Sequence, residues 1–238
     1  MKHFLPFSFW ILTAHVTFAQ TTTWSINVTP TLSYRVSQVN GIGPLTETIQ
    51  NGEAAMHSFD FGIDIRTRIN SRFKIGTGLF YSQKGFSNVH VASAYQQPTL
   101  SRAYVIDFMQ DYLDIPFFIT YSLAQNNQFE WYTLAGVNNS LLLRERNKVA
   151  VRSAEQSGRE VPEAVQAQLQ PPYLQASRAH GLGMLGGIGV RASVDDKTSI
   201  GLEALSKFMF TPLNDLTSDS QRRSYTLGLN FRFVRALR

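Results

Sequence analysis

The chain has 238 residues, of which 43% are hydrophobic and only 16% charged. That charge content is below the roughly one quarter usual in soluble domains, so apolar surface has few charges to cover it. The chain has no cysteine, which excludes a disulfide framework and Cys-based zinc or redox sites. A net charge of +5, with no basic stripe interleaved with aromatics, is not a nucleic-acid footprint.

Residues 1–19 read as a signal peptide. Lys2 and His3 form a short positive start, and Phe4 to Ala14 is an apolar run too short to span a bilayer. Thr17-Phe18-Ala19 then offers small residues at the two key cleavage positions, leaving Gln20 to begin a barrel domain over 20–238. After Gln20 there is no stretch of 18 apolar residues, so no transmembrane helix is expected.

The barrel domain alternates with period two. The first such segment is 24–37. In the second, 58–70, the odd positions hold Phe59, Phe61, Ile63, Ile65, Thr67 and Ile69, and the even ones Asp60, Gly62, Asp64, Arg66 and Arg68. The third, 72–84, sets Phe73, Ile75, Thr77, Leu79 and Tyr81 against Lys74, Gly76, Gly78 and Ser82. Segments 104–122, 129–143, 180–194 and 197–210 continue the series. The last, 224–234, sets Tyr225, Leu227, Leu229, Phe231 and Phe233 against Thr226, Gly228, Asn230 and Arg232. Each ribbon has one greasy and one polar face and reaches the ~9–11 residues a tilted strand needs to cross a bilayer.

The connections alternate in length. Long ones cover 38–57, 85–103, 144–179 and 211–223, and short ones fall at Asn70-Ser71, Ala124–Gln128 and Asp195-Asp196. Bacterial outer-membrane barrels have short periplasmic turns and longer outside loops. The expected fold is therefore all-β: an eight-stranded antiparallel up-and-down transmembrane β-barrel with both termini periplasmic. Gly62, Gly76, Gly78, Gly181, Gly183, Gly187, Gly189, Gly201 and Gly228 lie on the inward parity, as a narrow lumen requires. Gly186 breaks that pattern.

Four places are less regular. Apolar residues sit on even positions at 104–109 but on odd ones from Leu113 to Tyr121, which calls for a bulge near Met109–Tyr112. Pro30 and Pro116 each mark a bulge or local break. The parity of 129–143 is ambiguous, because Trp131, Tyr132 and Leu134 are all bulky. Within the third long loop, a short helix is expected over Pro162–Leu169.

No metal or catalytic motif emerges. The histidines lack metal-ligand spacing. His57 and His90 lie near Ser58, Ser87 and Asp60, but spacing does not bring a base, a nucleophile and an orienting acid together. Gly181-Leu182-Gly183-Met184-Leu185-Gly186 mimics a dinucleotide fingerprint inside an alternating strand instead of before a helix. No catalytic, metal or cofactor-binding residue is therefore assigned, and no enzyme is expected. The best-defined constellation is a set of charges on the inward parity: Asp64, Arg66, Lys74, Asp114, Arg191, Glu203, Lys207 and Arg232. Buried charges are costly unless paired, so a salt-bridge network plugging the lumen is expected.

Two segments carry a resemblance. Gly78-Leu79-Phe80-Tyr81-Ser82-Gln83-Lys84-Gly85-Phe86 and Tyr112-Leu113-Asp114-Ile115-Pro116-Phe117-Phe118 resemble the third- and fourth-strand motifs of the PorT-like outer-membrane β-barrel family of Bacteroidetes-type bacteria, with a looser match over 20–238. The resemblance implies an integral outer-membrane barrel. Outer-membrane lipids are the expected partners, with other envelope proteins meeting the outside loops. The leading expectation is a structural or interaction role. The alternatives are an accessory of a secretion or envelope-assembly complex, a lipid-modifying enzyme, and a soluble lipid-binding barrel, which would need an apolar interior.

Overall fold

The computed structural model describes residues 21–39, 53–92, 102–126, 128–151, 179–211 and 220–237. The expected signal peptide and the helix expected over Pro162–Leu169 lie outside them. Eight long strands run in chain order: β1 Thr22–Val39, β2 Met56–Arg68, β3 Phe73–Ala92, β4 Arg102–Gln125, β5 Phe129–Val151, β6 His180–Ser193, β7 Thr198–Met209 and β8 Ser220–Leu237. A two-residue ladder, Glu53–Ala54, adds to the edge of β3 opposite Asn88 and Ser87. Each strand pairs antiparallel with its chain neighbours, and β1 pairs with β8 over Thr22↔Leu237 to Val39↔Ser220. The sheet closes on itself as an up-and-down barrel, which leaves no open edge along the closed wall.

The three short turns share one local device. Asn70 Oδ1 accepts from the backbone N–H of Arg72 (2.9 Å) and Phe73 (2.8 Å). Asn126 Oδ1 does the same for Gln128 (2.9 Å) and Phe129 (2.6 Å), and Asp195 Oδ1 for Lys197 (2.7 Å) and Thr198 (2.6 Å). Each Asx side chain satisfies two turn donors that have no ladder partner.

Alternation sorts the wall as period two requires. Phe61, Ile63, Ile119, Trp131, Ile188 and Phe231 stand outward and half exposed. An outer surface of this kind is far larger than the apolar patches soluble proteins tolerate. Aromatic rings bound it at both ends. Near the turn end, Phe73 and Tyr121 pack at 4.9 Å, with Trp24, Trp131 and Phe233 on the same outward parity. At the far end, Tyr34–Tyr225 (4.9 Å), Phe208–Tyr225 (6.2 Å) and Phe59–Tyr81 (5.8 Å) form a second belt. Trp24 and Tyr34 are ten residues apart on β1, roughly 25 Å along the barrel axis for a strand tilted about 40°, which matches the height of a membrane band.

β4 keeps one register against β3 from Phe80↔Asp114 to Ala92↔Arg102, so the bulge expected in it near Met109–Tyr112 is absent and the extra residue lies on the strand opposite. In the β4–β5 ladder the register shifts between Asp111 and Tyr112, with Leu143 of β5 as the extra residue, and again between Ser122 and Ala124. Pro30 interrupts the β1–β8 ladder and Pro116 the β3–β4 ladder, yet each stays paired on its other side, opposite Phe59 and Asn138. These are local breaks without a bulge, as expected from the single missing N–H. Gly186 faces outward, so its departure from the inward set is a matter of parity.

The strands run further than expected. Residues 85–92 and 144–151, expected in long loops, continue β3 and β5 and pair with β4 up to Ala92↔Arg102 and Tyr104↔Val151. Once strands rise out of hydrocarbon, neither face need be apolar, so the alternation that marks a strand disappears while the ladder continues.

Candidate functional site: the charged lumen

All eight charges singled out from parity sit inside the barrel. They do not form one network. They fall into three groups at different heights, each joining side chains from more than one strand.

The central group joins β2, β7 and β8. Arg232 Nη2 lies 3.1 Å from Asp64 and its Nη1 lies 3.0 Å from Glu203. Arg66 reaches Glu203 at 2.8 Å and Asp64 at 3.3 Å. Two acids and two bases thus neutralise one another. Neutral groups take up the remaining donors and acceptors: Tyr132 donates its hydroxyl to Glu203 at 2.7 Å, Asn230 donates to Glu203 at 2.8 Å, and Arg232 donates to Asn27 at 3.0 Å. The guanidinium of Arg66 also lies over the Phe118 ring, 4.7 Å from its centre. Such complete pairing keeps a buried charge from being strongly destabilising.

The group nearest the turns is built on Glu130. It accepts from Lys74 at 2.7 Å, pairs with Arg191 at 2.6 Å, and accepts from the Ser122 hydroxyl. The far group joins Lys207 to Asp60 (2.6 Å) and Asp114 (3.3 Å), and Lys84 to Asp114 (2.9 Å). Lys84 also donates to Ser140 at 2.9 Å and lies 4.5 Å from the centre of the Tyr112 ring.

Between the central and far groups the lumen is greasy. Phe118, Leu134 and Leu185 are buried there, with Leu205 packed against them. With Phe80 and Pro116 they line one part of a cavity of about 40 Å³, whose remaining lining includes Asp64, Arg66, Glu203 and Lys207 of the two adjoining groups. The lumen therefore alternates charge, apolar layer, charge along this stretch.

Glu130, Lys84 and Asp60 complete the groups and were not among the singled-out charges. Lys84 shares the parity of Lys74, so its inward aim was readable. Glu130 was hidden by the ambiguous parity of β5, whose inward face proves to hold Tyr132, Leu134, Asn138 and Ser140. Tyr132 fits because Gly189 stands opposite it: a Cβ on Gly189 would come within 2.7 Å of the tyrosine ring and 2.8 Å of the Glu203 side chain.

The two motifs lie side by side on β3 and β4. Ser82 opposes Tyr112 and Tyr81 opposes Leu113, and Lys84 of the first motif meets Asp114 and Tyr112 of the second. His57 faces outward and exposed, whereas Ser58, bonded to Thr31 at 2.7 Å, and Asp60 face the lumen. The backbone of His90 pairs with Tyr104. The glycine run 181–186 lies in β6. No group of three His, Cys, Asp or Glu close enough to hold a metal occurs among the described residues.

No curated protein sequence matches the chain. Among solved structures it is similar to Ail, the attachment invasion locus protein of Yersinia pestis, at 13% identity and TM-score 0.37 over 91% of this chain and 100% of that one. It is also similar to the outer membrane protein OprG from Pseudomonas aeruginosa, at 11% identity and TM-score 0.44 over 90% and 95% of the two chains. A further similar structure is the outer membrane protease OmpT from Escherichia coli, at 8% identity and TM-score 0.45 over 93% and 99%. The family model of the outer membrane protein beta-barrel domain matches residues 18–238: the chain belongs to that family and is an integral β-barrel of the bacterial outer membrane.

Proposed function

We propose that this barrel is a closed, non-enzymatic scaffold that holds its outside connections at the cell surface for interaction with envelope or external partners. The observation that carries this reading is the filled lumen. Eleven charged side chains pair within three groups, and an apolar layer separates two of them. An eight-stranded barrel has room for side chains or one small ligand, not for a channel. With the inside occupied, interaction falls to the outer rim and the connections beyond it.

The membership we propose within the wider family is PorT-like. The two motifs that suggested it form a single contacting unit, Lys84 with Asp114 and Tyr112. A lipid-modifying site built on His57 is disfavoured because that ring and the Ser58 and Asp60 side chains stand on opposite faces of β2.

The test is electrical. The purified full chain, inserted in planar bilayers at neutral pH, is expected to give no stable conductance steps. Reproducible steps of uniform size would overturn the closed-scaffold reading.

A further inference from the structure

The outer wall of the barrel changes character at one place. On β3 the outward residues run Phe73, Ile75, Thr77, Leu79 and Tyr81, with the Thr77 hydroxyl turned to the Pro116 carbonyl at 2.9 Å. Tyr81 belongs to the far aromatic belt through Phe59. One rung further out the outward side chain is Gln83, opposite Asp111 of β4. Asp111 is a carboxylate on the lipid-facing parity. It accepts from Gln83 at 3.4 Å and from Arg146 Nη2 at 2.8 and 2.7 Å to its two oxygens.

This cluster carries more positive than negative charge. Asp111 has Arg144 directly opposite in the ladder and Arg146 bonded to it. Arg144 is exposed, and no ion pair to it occurs among the described residues. The Nε of Arg146 is shielded from solvent without an acceptor. The bulge at Leu143 makes this arrangement, because it switches β5 from odd to even outward positions and so turns both arginines to the outer face. Glu145, between the two arginines in the chain, pairs with Gln110 and stands on the opposite, lumen-side parity.

We infer that Arg144 and Arg146 form a site for a phosphate group of an outer-leaflet lipid. The depth fits. Tyrosines of an aromatic belt sit at headgroup level, and the next rung outward lies among the phosphates. The chemistry fits as well, since guanidinium forks bind phosphate with paired N–H bonds and are the usual choice for that group. Asp111 holds one fork in place while leaving excess positive charge for an anion. This goes beyond the scaffold reading: the lumen can be closed whether or not the wall binds lipid.

The experiment uses the full chain, folded in detergent and judged folded by its shift on unboiled gels. It is mixed with bisphosphorylated lipid A, with dephosphorylated lipid A, or with inorganic phosphate alone, and bound species are read by native mass spectrometry. The bisphosphorylated lipid is expected to be retained about fivefold or more over the dephosphorylated one. Arg144→Gln, which leaves the Asp111–Arg146 pair intact, should reduce that preference, and Arg144→Gln with Arg146→Gln should abolish it. Asp111→Asn, which frees Arg146, should keep or raise it. Equal retention of the two lipids by the folded protein would overturn the inference, as would an unchanged preference in folded Arg144→Gln. Binding of inorganic phosphate with no preference between the lipids would show an anion site that does not select lipid, and would also overturn it.

Discussion

Asp64 and Arg232 lie 168 positions apart in the chain and meet at 3.1 Å inside the barrel, each almost wholly buried. Their contact exists only when β8 has closed against β1. Removing one partner leaves the other charge buried and uncompensated. Asp64→Ala and Arg232→Leu are each expected to destabilise the folded barrel by about 3–5 kcal/mol. The double variant should cost less than the sum. Urea titration of folding into lipid vesicles, with the gel shift as a parallel readout, checks both.

The wall makes a second demand. Ile63 stands outward midway between the belts and half exposed, and Ile69 stands outward beside the turn. In hydrocarbon, arginine at the first position should cost about 2–4 kcal/mol and at the second about 0–1 kcal/mol. The same vesicle titration on Ile63→Arg and Ile69→Arg measures the difference. Equal, near-zero costs would mean that water touches both positions.

Glycine is required for space at one position and not at another. At Gly189 a side chain would run into Tyr132 and Glu203, both fully buried and unable to retreat. Gly189→Val is expected to destabilise by about 1–3 kcal/mol. At Gly186 the nearest atom to an added Cβ is the Leu134 carbonyl oxygen at 3.7 Å, an ordinary contact. Gly186→Ala should fold with unchanged urea midpoint.

Asp195 gives the barrel a readable acid response at its last short turn. The backbone N–H groups of Lys197 and Thr198 favour its charged form and hold its pKa below the ordinary 3.8. A carboxyl lowered on folding adds stability that is present above the unfolded value and lost as pH falls through the folded one. The loss should therefore begin below about pH 3.8 and finish below the folded pKa of Asp195. Carbon-13 titration of its carboxyl should give a midpoint under 3.8. Asp195→Asn should keep the turn, because an amide oxygen accepts the same two bonds, and should remove this part of the acid dependence.

Much of this architecture is written in local pattern. Phe59 to Ile65 alternate with Asp60, Asp64 and Arg66 because one face meets hydrocarbon and the other meets partners inside. Asn70 and Asp195 mark turns that they themselves bond. Parity alone was enough to turn eight charges inward. It does not say which of them meet. That depends on how the register accumulates around the closed sheet, which sets Arg232 beside Glu203 and Asp64, and leaves Lys74 and Arg191 to share Glu130. Glu130 escaped because Tyr132 and Leu134 put bulk on the face where small residues are expected, and only the glycines of the neighbouring β6 explain how they fit. The outer parts of β3 and β5 escaped because a ladder in water leaves no greasy stripe to read.

Those outer parts make the mouth of the barrel uneven. β4 has 24 residues and β5 has 23, whereas β7, two strands further round the wall from β5, has 12. From Tyr81 at the belt, the β3–β4 ladder climbs on to Ala92, roughly 25–30 Å higher for tilted strands. Among the described residues the β3–β5 flank is therefore a parapet, whereas β7 ends at Met209, one residue past Phe208 of the far belt. A molecule meeting the wall from outside finds, among the described residues, a tall backboard of paired strand on the β3–β5 flank and much less of it on the β6–β7 flank.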